Sequence, residues 1–188
     1  MLRFKRVRTE IVYTPYHDHQ DLIRASGQDY IPTLDWAGRF VTWSEIPTFL
    51  DRVQPKPELL PDGKAGLART LESWGHLVLE ERVWRAVVTQ VPPTLRDDRE
   101  RWVFEELQTR GRGPWSVLER RRPEFVAELA EYFALVDAMV KGREWILDEP
   151  TVADFGIYGG LSSWITVGER IPAKYPHLRR WVERIHEL

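Results

Sequence analysis

Tyr30-Ile31-Pro32-Thr33-Leu34, followed three residues later by Gly38-Arg39-Phe40-Val41-Thr42-Trp43-Ser44, is the stretch on which the reading of this chain turns. It reads as a strand entered through a proline, a tight turn, a second strand and the start of a helix. The Ile31–Pro32 bond is a candidate cis peptide. The cis form of an X-Pro bond lies only about 0.5–1 kcal/mol above trans, against about 3 kcal/mol elsewhere, so proline is the residue that permits it. The N–H and carbonyl just before such a bond turn away from the sheet ladder and can receive an extended peptide. The plainer alternative is a trans proline at a strand edge.

Working outward, Thr9-Glu10-Ile11-Val12-Tyr13-Thr14 is β-branched and aromatic and reads as a strand. Leu2-Arg3-Phe4-Lys5-Arg6 reads as the end of a helix. Asp18 to Ala25 can form a short helix, with Asp18 as N-cap and Gly27 as terminator. His17 and His19 flank that cap and have no metal-ligand spacing, so they are assigned to loop or cap roles. A further helix is expected from Trp43 or Ser44 to about Val53. Ser44 is its N-cap, and Pro47 sits in the first turn, where a missing N–H does no harm. Pro55, Pro57 and Pro61 then mark an extended linker.

Beyond Gly63 the pattern is helical throughout. Leu67, Leu71, Trp74, Val78 and Glu81 recur at helical spacing on a long helix ending near Gln90, stopped by Pro92-Pro93. Asp98 to Thr109 forms a second helix, with Trp102, Phe104, Glu105 and Leu107. Phe125, Leu129, Tyr132, Phe133, Val136, Met139 and Val140 mark a third, closed by Gly142. Thr151-Val152-Ala153-Asp154 is a capping box opening a fourth helix, which makes Asp154 a folding residue. Gly159-Gly160 inside that helix implies close approach of another backbone, with room kept for a ligand as the alternative. Pro176 to Glu187 is the last helix. Mixed elements followed by helices alone argue for two subdomains: an α+β chain divided into residues 1–53, a linker 54–63, and an all-α part 64–188.

Bulk properties exclude several classes. With 188 residues, 43% apolar and 30% charged, the chain is that of an ordinary globular protein. A net charge of −2, with both signs mixed, gives no footprint for a nucleic-acid partner. No apolar run is long enough for a membrane span. The absence of cysteine removes disulfides, thiolate metal sites and cysteine nucleophiles within these residues, and no metal site is expected. The basic N-terminus lacks the apolar region of a secretory signal, so a cytoplasmic location is expected. Nine tryptophans suit core and interface positions.

The chain resembles the glutathione transferase superfamily of bacterial type. The marks are Gln28-Asp29-Tyr30-Ile31-Pro32-Thr33-Leu34, Gly38 to Ser44, Ile46 with Phe49-Leu50, the linker Pro55 to Pro61, Ile146-Leu147 before Thr151-Val152-Ala153-Asp154-Phe155, and Pro176-His177-Leu178-Arg179-Arg180-Trp181. Their order and spacing carry the resemblance; each alone is weak. The resemblance implies an incomplete thioredoxin-like domain followed by an all-α helical bundle, usually as a homodimer. It implies glutathione as co-substrate. Ile31, before a cis Pro32, would pair by backbone with the cysteinyl part, and the next helix start would hold the γ-glutamyl carboxylate, as helix N-terminal N–H groups and a hydroxyl can.

Two departures from the pattern bear on chemistry. The usual Glu-Ser pair at that helix start falls on Trp43-Ser44 in one register and on Thr42-Trp43 in another; the glutamate is missing in both, and Glu45 is one or two positions away. The family's first strand, and the loop carrying a tyrosine, serine or cysteine that lowers the thiol pKa, have no counterpart before Leu2-Arg3-Phe4-Lys5, so the N-terminus reads as truncated. A recruited activator could be Tyr13, Thr14 or Tyr16. No catalytic residue is assigned. Trp74, Leu77, Tyr158 and Trp164 are candidate walls for a small apolar electrophile, with core packing as their alternative role. The expected function is a glutathione transferase-like protein acting on such an electrophile. The alternative is a non-catalytic binding or assembly module on the same fold.

Overall fold

The computed structural model describes residues 1–188. Residues 1–7 form a tight turn in which the Lys5 N–H donates to the Met1 carbonyl and the Val7 N–H to the Leu2 carbonyl, both at 3.0 Å. The turn ends at Arg6, whose φ is +55°. Residues 9–14 form no strand. They carry no regular structure and no backbone hydrogen bonds, with Ile11 92% exposed, so β propensity alone did not suffice where no neighbouring strand supplies hydrogen bonds.

Helix α1 (Gln20–Ser26) ends on Gly27 in the left-handed conformation. The Asp18 carboxylate accepts the Gln20 N–H at 3.0 Å, and His19 pairs with Asp29 on the way into the hairpin. Strands β1 (Thr33–Trp36) and β2 (Arg39–Thr42) pair antiparallel, with Thr33 opposite Thr42 and Trp36 opposite Arg39. The turn uses left-handed backbone at Ala37 and Gly38, and Asp35 accepts the Gly38 N–H at 2.8 Å. Helix α2 (Ile46–Val53) starts two to three residues later than expected. Its N-cap is Glu45, and Ser44 makes no cap bond.

The long helix is α3 (Ala65–Trp74), a π-turn (Gly75–Leu79) and α4 (Glu80–Val87) in one run, tailing into 3-10 turns at Val88–Gln90 and Pro92–Thr94. Its helical period is as expected, but the buried stripe is a different one. Ala68, Glu72, Gly75, Leu79 and Val83 face the core, while Leu67 and Leu77 are exposed. The reason is the neighbour. A Cβ on Gly75 would lie 2.5 Å from the Gly156 carbonyl oxygen, one on Gly156 would lie 2.6 Å from the Glu72 Cα, and one on Gly160 would lie 2.6 Å from the Gly75 oxygen. Three glycines thus let α7 (Val152–Thr166) lie backbone against backbone on the long helix.

Helix α5 (Asp98–Arg112) opens on Asp97, whose carboxylate accepts the Glu100 N–H at 2.8 Å. Helix α6 (Trp115–Met139) begins well before Phe125 and carries Pro123 inside it. Helix α7 opens with the expected box: Thr151 Oγ1 accepts the Ala153 N–H at 3.3 Å, and Asp154 Oδ2 accepts the Thr151 N–H at 3.1 Å. Asp154 is fully buried; its Oδ1 also takes the Ile146 N–H and the Trp181 indole N–H, both at 3.0 Å. Burial pushes its carboxyl above the usual range despite those donors. Helix α8 (Pro176–Glu187) closes the bundle.

One apolar core serves both parts. Leu34, Val41, Phe49 and Leu50 belong to the same cluster as Leu59, Leu79, Leu129, Leu161 and Trp181. The fold is therefore a small hairpin-and-helix unit seated on a helical bundle. No helix is long and apolar enough to cross a membrane.

Candidate functional site

The hairpin register fixes the candidate site. Because Thr33 faces Thr42, the residues entering β1 and those leaving β2 lie at the same end of the ribbon. Ile31 and Pro32 are thereby brought to the end that carries Trp43 and Ser44. The Ile31–Pro32 bond is cis, and Ile31 is 52% exposed. No protein group takes the Ile31 N–H or carbonyl. Next to it, Thr33 Oγ1 donates to the Tyr30 carbonyl, which closes the turn into β1.

The corner at Trp43–Ser44 is held from the helical part by two residues seven apart on the long helix, hence on one face of it. Arg69 donates to the Ser44 carbonyl (3.3 Å) and to Thr48 Oγ1 (2.6 Å), and is itself fixed by the buried Glu72 (2.8 Å). His76 lies edge-on to Trp43 with ring centroids 5.1 Å apart. The His76 Nδ1 is 3.2 Å from Glu80 Oε2. That hydrogen bond raises the imidazole pKa against the opposing effect of burial. Glu45, the nearest carboxylate in sequence to the missing glutamate position, accepts from Thr42 Oγ1 at 3.0 Å.

A cavity of about 210 Å³ opens between β2 and α2, lined by Arg39, Phe40, Val41, Ser44, Glu45, Thr48, Phe49 and Arg52. Ser44 belongs to both this cavity and the corner. Helix starts and hydroxyls of this kind suit a carboxylate.

The proposed activators lie elsewhere. The Tyr13 hydroxyl donates to Glu100 Oε1 at 2.5 Å, and Arg96 stacks over the Tyr13 ring at 3.4 Å. The same buried carboxylate accepts the Tyr16 and Arg96 N–H groups, at 2.9 and 3.1 Å. Burial opposes ionisation of Glu100, but these three donors outweigh it and hold its carboxyl below the usual range. Burial, then the bond to Glu100, pushes the Tyr13 hydroxyl up to about 12. Tyr16 packs edge-on against Phe104 at 5.2 Å. These tyrosines fasten the N-terminal segment to α5. Tyr13 has its hydroxyl proton committed and none free for a thiol.

The four candidate walls do not converge. Trp164 is buried against Phe133 at 5.5 Å, Trp74 stacks on Tyr132 at 6.4 Å, and the Tyr158 hydroxyl meets His186 at 3.0 Å. Leu77 points to solvent at 74% exposure. Residues the sequence did not single out, Arg69 and His76, instead make the contacts to the candidate site. The only signal for them was their seven-residue spacing on one helix face.

Two comparisons with known proteins bear on this geometry. Residues 116–188 match the family model of the glutathione S-transferase C-terminal domain. The whole chain superimposes on 80% of a glutathione S-transferase from Rhodospirillum rubrum F11, with a TM-score of 0.71 at 22% sequence identity. No curated protein matches the sequence. Residues 116–188 thus match the glutathione S-transferase C-terminal domain family, and the chain as a whole has the fold of such a transferase, a partial thioredoxin-like unit followed by a helical domain.

Proposed function

We propose that the protein binds glutathione across the end of the hairpin. Ile31 pairs with its cysteinyl backbone, and Ser44 with the start of α2 holds the γ-glutamyl carboxylate. The observation that carries this reading is the pair of free backbone groups on exposed Ile31, set by the strand register beside the Trp43–Ser44 corner. In the register that puts the family's Glu-Ser pair on Trp43-Ser44, Trp43 stands where a glutamate is usual, and an adjacent apolar electrophile is the substrate class that fits the superfamily. The working division is residues 1–53, linker 54–63 and 64–188. The partner is a second copy, for which exposed Leu67 and Leu77 on the outward face of the long helix offer apolar surface. A reducing, glutathione-rich cytoplasm suits a chain without cysteine.

Calorimetric titration with glutathione tests the binding. Saturation at millimolar concentration or below is expected, and loss of it is expected in Ser44→Ala combined with Ile31→Pro. Absence of binding by the unmodified protein at millimolar glutathione overturns the reading.

A second reading is favoured by the commitment of the Tyr13 hydroxyl to Glu100. In it, the protein binds glutathione without activating it. The thiol of the bound peptide then titrates near the free value of about 8.5, and no conjugation to an aryl halide exceeds the uncatalysed rate. A thiolate formed at neutral pH on binding decides for the transferase.

A further inference from the structure

Within the glutathione-binding reading, and resting on it, one residue of the helical part stands close enough to the corner to act on the ligand. His76 lies in the π-turn Gly75–Leu79. Single π-turns inside α-helices shift the side chains that follow them and gather at functional positions. The turn occurs where Gly75 meets Gly156 and Gly160, and the imidazole lies over Gly159, where a Cβ would come within 3.3 Å of Cε1. Room for this ring is therefore made by glycines on a second helix. One ring edge is anchored: Nδ1 is held on Glu80. The ring lies against Trp43, and no protein group takes Nε2.

We propose that His76, anchored through Nδ1, donates from Nε2 to the carboxylate of a ligand held at the Trp43–Ser44 corner, so that the site selects anionic γ-glutamyl ligands and binds them in a pH-dependent way. The anchor specifies the sign of the dependence. In the imidazolium both nitrogens carry protons, so Glu80 and the ligand carboxylate are each given a donor. In the neutral ring, one proton remains for two acceptors. The Nδ1 proton stays on Glu80, and Nε2 turns a lone pair toward the ligand. Affinity is therefore highest while His76 is protonated and falls as pH rises through its raised pKa. The charged groups facing His76 are Glu80 and Glu72 of its own helix, and Glu72 is paired to Arg69. The two other elements in contact offer Trp43 and Gly159, neither of which titrates in this range.

The test is calorimetric titration of the full chain with S-methylglutathione, which has no thiol to titrate, between pH 5.5 and pH 8.5, a span chosen around the ordinary imidazole pKa of about 6.5. For the unmodified protein the dissociation constant is expected to rise by roughly tenfold across the span, the size of one charge-assisted hydrogen bond. His76→Gln is expected to bind roughly tenfold more weakly at the acid end and to lose the slope. Glu80→Gln leaves the imidazole in place and is expected to move the midpoint to lower pH; it also covers the case in which the His76 variant fails to fold, which thermal unfolding reports. A flat profile in the unmodified protein, or a slope that persists in folded His76→Gln, overturns the role of His76 while leaving glutathione binding intact. Absence of binding at every pH overturns the glutathione reading itself, and the inference with it.

Discussion

The Lys5 ammonium, wholly buried, lies 2.7 Å from the Asp51 carboxylate and 2.7 Å from the Pro57 carbonyl. Asp51 in turn accepts the backbone N–H groups of Leu59 (2.9 Å) and Leu60 (2.9 Å). One ion pair thereby ties the N-terminal turn, the end of α2 and the linker together.

Removing one member of a buried pair leaves the other charge unmatched. Asp51→Ala is expected to cost about 3–5 kcal/mol, because a buried ammonium loses its counter-ion and two linker N–H groups lose their acceptor. Lys5→Met keeps most of the volume and leaves Asp51 its N–H donors, so a smaller loss is expected. Urea unfolding of the two variants checks the order.

Glycine substitutions separate packing from propensity. Gly75→Ala and Gly156→Ala each put a methyl group inside 3 Å of a facing backbone. Each is expected to destabilise by about 1–3 kcal/mol or more, as overpacking does. Gly111, also helical, has open space around its Cα. Gly111→Ala is expected to stabilise by about 0.5–1 kcal/mol. Thermal melts of the three proteins should separate in opposite directions.

The Tyr13–Glu100 bond sets limits at both ends of the pH scale. The Glu100 carboxyl is depressed in the folded chain, so its contribution is present above 4.5 and is lost as pH falls through the lower folded value. The Tyr13 hydroxyl is raised to about 12, so its contribution is complete below 10 and is lost as pH climbs through 12. Tyr13→Phe is expected to remove the Tyr13 share of the alkaline limb and leave that of Tyr16, whose hydroxyl is also raised by burial and by Glu100. Ultraviolet titration of tyrosinate, with hydrogen exchange of residues 13–16, reads both.

Asp154 ties three segments together: the start of α7, the turn at Ile146 and α8. Asp154→Ala removes the α7 cap and strands the Ile146 N–H and the Trp181 indole N–H in the core. A loss of about 2–4 kcal/mol is expected. Trp181→Phe is expected to leave the cap intact in hydrogen exchange at residues 152–155, although the core pays for the smaller ring. Equal exchange at those amides in both variants would contradict the assignment.

What the sequence made legible was local chemistry. The turn at Gly38, the stop at Gly27, the box at Thr151–Asp154 and the proline start of α8 each write their geometry in a few adjacent residues. The close approach implied by Gly159-Gly160 is also found, although Gly160 makes it and Gly159 instead lies under His76. Periodicity found the long helix but not its buried stripe, because two stripes of three-to-four spacing were available. The large residues Leu67 and Val78 looked like core, whereas the small residues Ala68 and Gly75 are what admit another helix. Residues 9–14 had strand chemistry without a partner, and pairing is a tertiary fact. At the candidate site, Ile31, Pro32, Trp43 and Ser44 stood out from the family pattern. Arg69 and His76 did not, since their one mark, a seven-residue spacing on a helix face, says nothing of the distant corner they reach.

The exposed run from Arg8 to Val12 lies between two anchors, Lys5 on Asp51 and Tyr13 on Glu100, and packs on neither side. A protease has there an exposed backbone with no regular structure to unfold first. A single cut would nevertheless release nothing, since each new end remains fastened within a few residues of the break. The nicked protein should keep its mass in gel filtration and part into two pieces only in denaturant.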